Sequence, residues 1–217
     1  MLIYLIRHGE TDYNKYHKLQ GWSDIPLNEN GIELAKQTAE GMKDISFDYV
    51  FSSPLDRAIK TAEIIVGDKN VTIEKDDRLK EINLAAYEGI DKSLVDNDVN
   101  HPMHNYFINP GQYNPTDGPE SFDDVKKRVD EFLNEKVIPL EKKYQKILIV
   151  GHGCMNHCII NPILGIGNDN FRKVQLPNCA VSIISLENGK FSVIEKSKVY
   201  YLMITELLYF SKFDFSI

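Results

Sequence analysis

Short unbroken apolar runs and longer helical stripes alternate along this chain. Leu2 to Ile6 is continuously apolar and stops at Arg7, the pattern of a strand buried on both faces. Asn28 then stands as an N-cap before a stripe through Ala35, Ala39 and Met42, which predicts a helix. Tyr49 to Phe51 reads as a second strand. It runs into Ser53-Pro54, a cap followed by proline at the first helical position, with a helix expected through Ala58, Ala62 and Ile65. Val71 to Ile73 is a third, shorter strand. Phe122, Val125, Val129, Phe132 and Leu133 share one helical face running toward Pro139. Ile147 to Val150 predicts a strand, and a helix follows from about Met155 to Leu164. Val181 to Leu186 and Phe191 to Ile194 flank Asn188-Gly189, a hairpin signal.

Strands that alternate with helices imply an α/β fold in three layers. A mostly parallel central sheet is covered by helices on both faces and extended by one antiparallel hairpin. Residues 1–198 read as one domain. Within it, 87–120 reads as a lid or wall: four of the nine prolines fall between His101 and Glu120, too many for regular structure. Residues 199–217 form an apolar, aromatic tail interrupted by Glu206, Lys212 and Asp214. It is expected to pack on the body or on a second subunit, so a homodimer is conceivable.

Composition narrows the partners. Of 217 residues, 42% are hydrophobic and 26% charged, which excludes disordered and fibrous classes. Lys and Arg total 25 against 32 Asp and Glu, a net charge of −7, so a nucleic-acid partner is disfavoured. Any anionic ligand must be held by cations gathered locally against that field. The three cysteines, Cys154, Cys158 and Cys179, are too few and too odd in number for a disulfide framework, which suits a cytoplasmic setting. Six apolar residues before Arg7 are too short for a signal peptide or a membrane span, so no membrane partner is expected.

In open α/β sheets, ligands bind outside the carboxyl ends of the strands. The first strand ends in Arg7-His8-Gly9-Glu10, the second in Ser52-Ser53-Pro54 with Arg57 one turn on, and the strand at 147–150 in Gly151-His152-Gly153. Arg78 and Glu81 follow the third strand. Arg7, Arg57, the two histidines and the Glu81 carboxylate at one sheet edge suit phosphoryl transfer. Arginine supplies bidentate donors to phosphate, imidazole is a nucleophile toward phosphorus, and a carboxylic acid protonates the leaving oxygen. Each histidine taken alone is more ordinary as a packing or surface residue.

A series of motifs sharpens this. L-I-R-H-G-E-T-D-Y-N at 5–14, L-Q-G-W-S-D-I-P-L-N-E-N-G from Leu19 and F-S-S-P-L-D-R-A-I-K-T-A from Phe51 come first. L-K-E-I-N-L-A-A-Y-E-G from Leu79, G-P-E-S-F at 118–122, I-V-G-H-G at 149–153 and L-P-N-C-A from Leu176 follow in order. This series resembles the histidine phosphatase (phosphoglycerate mutase-like) superfamily over residues 2 to about 195. The resemblance implies that His8 is the nucleophile, that Arg7, Arg57 and His152 complete the phosphate pocket, and that Glu81 is the proton donor. It further implies that Asn14, Gln20, Gly21 and Gly153 line the substrate site, and that no metal or other cofactor is needed. Ala85 stands where such proteins usually carry glycine, and Tyr87 where tryptophan is common.

The superfamily holds phosphatases and mutases. Residues 88–120 contain one lysine, Lys92, and no arginine, with His101, His104, Tyr106 and Tyr113 instead. That favours hydrolysis of a small phosphomonoester over a phosphoglycerate mutase, the alternative. Two remoter readings are a zinc site built on His152, Cys154, His157 and Cys158, and a protein that binds phosphorylated ligands without turnover.

Overall fold

The computed structural model describes residues 1–116 and 118–201; residues 202–217, most of the apolar tail, lie outside them. A six-stranded sheet runs in the order β3-β2-β4-β1-β5-β6. The strands are β1 (Leu2–Arg7), β2 (Tyr49–Ser52), β3 (Ile73–Lys75), β4 (Lys146–Gly151), β5 (Val181–Glu187) and β6 (Lys190–Lys198). The first four are parallel; β5 is antiparallel to β1, and β6 to β5.

The two-residue period of a strand distributes β1 between two cores. Ile3 and Leu5 join Phe51, Ile147 and Ile149 under α6 (Phe122–Phe132) and α7 (Gly153–Ile163). Tyr4 and Ile6 join Val50, Leu148 and Val150 under α2 (Glu29–Gly41) and α3 (Asp56–Val66). Both faces are therefore covered, which is why the central strands read as unbroken apolar runs. Asn28 caps α2, accepting from Gly31 N at 2.8 Å, and Ser121 forms a reciprocal cap with Asp124 on α6.

Three boundaries differ from the sequence expectation, each for a tertiary reason. Helix α3 begins at Asp56, not at Pro54: Ser53 Oγ accepts from Leu55 N at 3.3 Å and meets His152 Nε2 at 2.7 Å, so it closes a turn rather than capping the helix. Strand β3 is shifted to Ile73–Lys75, where Val50 and Ser52 of β2 set the register. Helix α7 begins at Gly153, two residues early, because the Glu81 carboxylate accepts the N–H groups of Cys154 and Met155 and satisfies that first turn from outside the helix.

The 87–120 segment folds into short helices, including α4 (Lys92–Asp96) and α5 (His104–Phe107), the two that follow α1 (Asp12–Lys15), α2 and α3 in chain order. Tyr106 and Tyr113 are buried and pack with Phe122, whose ring stacks 3.9 Å from that of Phe171. At the start of the tail, Tyr200 packs against Gly41, and Tyr201 donates its hydroxyl to Asn178 O at 2.7 Å. No helix among the described residues is long and apolar enough to cross a membrane.

Candidate active site

Because β2, β4 and β1 are adjacent and parallel, with Arg7 opposite Gly151 and Ser52 opposite Val150, their carboxyl ends discharge into one place. His8 and His152 sit there with ring centroids 5.1 Å apart, both buried. His8 Nδ1 lies 2.6 Å from the Gly9 carbonyl. A carbonyl only accepts, so Nδ1 carries the proton and Nε2 keeps its lone pair. Burial first, then Arg57 and Arg7, holds His8 well below the ordinary imidazole range, so the ring is neutral. His152 is held low by burial, then by Arg57 and His8. Its Nε2 meets the Ser53 hydroxyl at 2.7 Å, and its Nδ1 is buried without a protein partner.

Arg57 has no exposed surface. It donates from its two terminal nitrogens to Gly21 O at 2.6 Å and Ser23 O at 2.8 Å. Burial lowers it to about 10, with Glu81, Asp24 and Glu88 opposing, so it stays cationic at neutral pH. The turn it grips is itself held from behind: Glu88 accepts from Trp22 N at 2.6 Å and Ser23 N at 2.5 Å. A Cβ on Gly21 would lie 2.4 Å from Ile82 O and 2.7 Å from Glu88 Oε1, so this close approach requires glycine. Arg7, also lowered by burial and opposed by Glu81, donates to Leu176 O at 2.7 Å.

Glu81 accepts three backbone N–H groups. Ile82 and Met155 bond Oε1 at 2.9 and 3.1 Å, and Cys154 bonds Oε2 at 3.0 Å. Its own carbonyl accepts from Arg128 Nη2 and from Trp22 Nε1, while Arg128 also reaches the carbonyls of Arg78 and Lys80 and pairs with Glu120. Gly153 stands between Arg7 and Glu81: a Cβ there would lie 3.5 Å from Glu81 Oε2 and 3.7 Å from Arg7 Nε.

On the other side, Gln20 Oε1 accepts from Thr11 Oγ1 at 2.8 Å and Asn14 Nδ2 at 3.3 Å. Asn178 Nδ2 ties Asn14 to the His8 and Gly9 carbonyls. Above them opens a cavity of about 430 Å³ lined by Arg7, Asn14, Gln20, Glu81, Gly153 and the 106–107 wall, among others. Arg57, His8 and His152 lie deeper. Among the described residues, four buried nitrogens of this set meet no protein acceptor: Arg7 Nε, Arg57 Nε, His152 Nδ1 and Gln20 Nε2. Three unpartnered guanidinium and amide donors, beside an unpartnered His152 Nδ1 and one neutral imidazole, suit an anion.

A family profile for the histidine phosphatase superfamily (branch 1) matches residues 3–198. The chain belongs to this superfamily. A probable phosphoglycerate mutase GpmB of Proteus mirabilis is 30% identical over 187 residues, covering 86% of each chain. A putative phosphoserine phosphatase 2 of Hydrogenobacter thermophilus is 30% identical over 197 residues, covering 91% of this chain and 95% of the relative. Among solved structures, Bacillus stearothermophilus YhfR superposes with a TM-score of 0.82 at 28% identity, covering 91% of this chain and 97% of its own.

Several residues of this superfamily site were absent from the sequence reading. Glu88, Arg128 and Asn178 act through backbone carbonyls and N–H groups, which leave no trace in residue spacing. Lys18 and Arg172 line the cavity from outside the 87–120 wall, so counting cations in that wall alone understates the charge. Lys92 lines it too, but pairs with Asp96. Both ring nitrogens of His157 lie against backbone carbonyls, Nδ1 2.7 Å from Gly153 O and Nε2 2.9 Å from Val174 O, and among the described residues no three metal-ligating side chains converge. Cys154 is buried and its thiol is pushed well above its ordinary value. Ala85 adopts φ of 50°, the left-handed region, which explains why glycine is usual there.

Proposed function

We propose that this superfamily member is a metal-independent phosphomonoesterase working through phospho-His8. The observation that carries the reading is a neutral imidazole with its Nδ1 proton given to Gly9, set among unpartnered nitrogens of Arg7, Arg57 and His152. His8 Nε2 forms a bond to phosphorus as the bond from phosphorus to the ester oxygen breaks. Charge on the non-bridging oxygens falls to the two arginines and to His152 Nδ1–H. Glu81 gives its proton to the departing alkoxide. Oε2, which accepts one N–H against two at Oε1 and lies beside Gly153, is the oxygen placed to deliver it. The Glu81 carboxylate then takes a proton from water as that water attacks phospho-His8, returning both groups to their starting states.

A mutase reading has one observation in its favour: Lys18 and Arg172 add positive charge at the outer end of the cavity, where a second phosphate can dock. Turnover assays with chelator present, following both inorganic phosphate release and isomerisation of 2- and 3-phosphoglycerate, separate the two. Acid-labile, base-stable phosphate trapped on the protein is expected, and it is lost in His8→Ala. Activity that survives His8→Ala, or that chelator abolishes, overturns the mechanism.

A further inference from the structure

We infer that the substrate carries a carboxylate in addition to its phosphate, and that Arg172 is the residue that selects it. This rests on the phosphomonoesterase reading and names the substrate class for the same site. The chain has five arginines. Arg78 is spent on Asp76 and Glu135, and Arg128 on Glu120. Among the described residues the other three, Arg7, Arg57 and Arg172, have no carboxylate partner. Two of these belong to the phosphate end. The third sits in the outer wall of the cavity.

Its setting there is specific. The guanidinium carbon lies 4.4 Å from the Tyr106 ring centroid and 5.1 Å from that of Phe107, with Phe171 at 5.8 Å. One N–H is donated to the Tyr106 carbonyl. Aromatic faces hold the guanidinium plane without consuming its edge, and one carbonyl uses one of five donors. A planar fork fixed in orientation, with donors to spare, matches a carboxylate bidentately. Lys18 also lines the cavity, and among the described residues Glu81 is the only acidic residue that does. Lys92 is compensated by Asp96, which leaves Arg172 as the planar cationic fork of the wall, and a cavity of about 430 Å³ suits a small metabolite.

The test uses matched substrates that differ by the carboxylate: phosphoserine against phosphoethanolamine, and 3-phosphoglycerate against glycerol 1-phosphate. The full-length parent is expected to prefer the carboxylate-bearing member of each pair by tenfold or more in kcat/KM. Arg172→Gln is expected to lower that preference at least tenfold, and Arg172→Lys to restore part of it. Equal losses on both members of a pair would make Arg172 a packing pillar and overturn the inference. So would a parent without preference that still turns over aryl phosphate through phospho-His8. A parent that forms no phospho-His8 with any of these esters instead overturns the phosphomonoesterase reading itself.

Discussion

Neutral His8 and His152 in a buried site have a consequence for stability that acid should expose. In the unfolded chain both rings titrate near the ordinary value of 6.5, whereas folding holds each well below it. Their contribution is therefore intact above about pH 6.5 and shrinks as pH falls through that value, because the unfolded state takes up protons that the folded state refuses. A ring that stays neutral in the folded state at pH 5.5 costs about 1 kcal/mol there relative to pH 7.5, so His8 and His152, with a further contribution from the less strongly lowered His157, together cost about 3 kcal/mol. For a chain of this length that is a fall in Tm of about 6–12 °C. The buried or half-buried carboxylates with depressed values, Glu74 and Asp76, lose their contribution only below about 4.5, outside this window. Urea unfolding at pH 7.5 and 5.5 should show the loss. In His8→Asn, which keeps a side-chain donor for Gly9, the loss should shrink by about 1 kcal/mol, the remainder being owed to His152 and His157. If parent and His8→Asn lose the same stability, His8 protonates in the folded state as readily as in the unfolded one, and the argument for a neutral nucleophile fails.

Two further outcomes follow from positions outside the phosphate contacts. Glu88→Ala removes two charge-assisted bonds to the 21–23 turn whose carbonyls fix the Arg57 guanidinium, worth about 1.5–3 kcal/mol each; kcat on an aryl phosphate should fall about 10- to 100-fold. A lower Tm with kcat unchanged would show that the clamp does not reach Arg57. Ala85→Gly relieves a left-handed alanine and, after the entropy glycine gains in the unfolded chain, should stabilise by about 0.5–1 kcal/mol in urea titrations; destabilisation would contradict the backbone assignment.

The amino-acid sequence determined the layers and the reactive centre of this protein because both are written in contiguous residues. An apolar run ending in Arg7-His8 makes a buried strand and puts its charges at the strand's carboxyl end in the same stroke, and Val150-Gly151-His152 repeats the device. Capping at Asn28 was equally legible, since the cap and its N–H partner are three residues apart. The tertiary structure decided what depends on distant backbone. Glu81 caps α7 from 73 residues away, Glu88 steadies a turn 66 residues before it, and Arg128 reaches back 47 residues to the Glu81 carbonyl. Such bonds have no period, and an N–H or C=O acceptor looks the same under every side chain. Which way His8 shares its proton, which arginines are left without carboxylates, and whether Lys18 and Arg172 face the same cavity are likewise matters of three-dimensional neighbourhood. The sheet edge gathered the two histidines and the arginines, and the packing around it decided which other residues share their cavity.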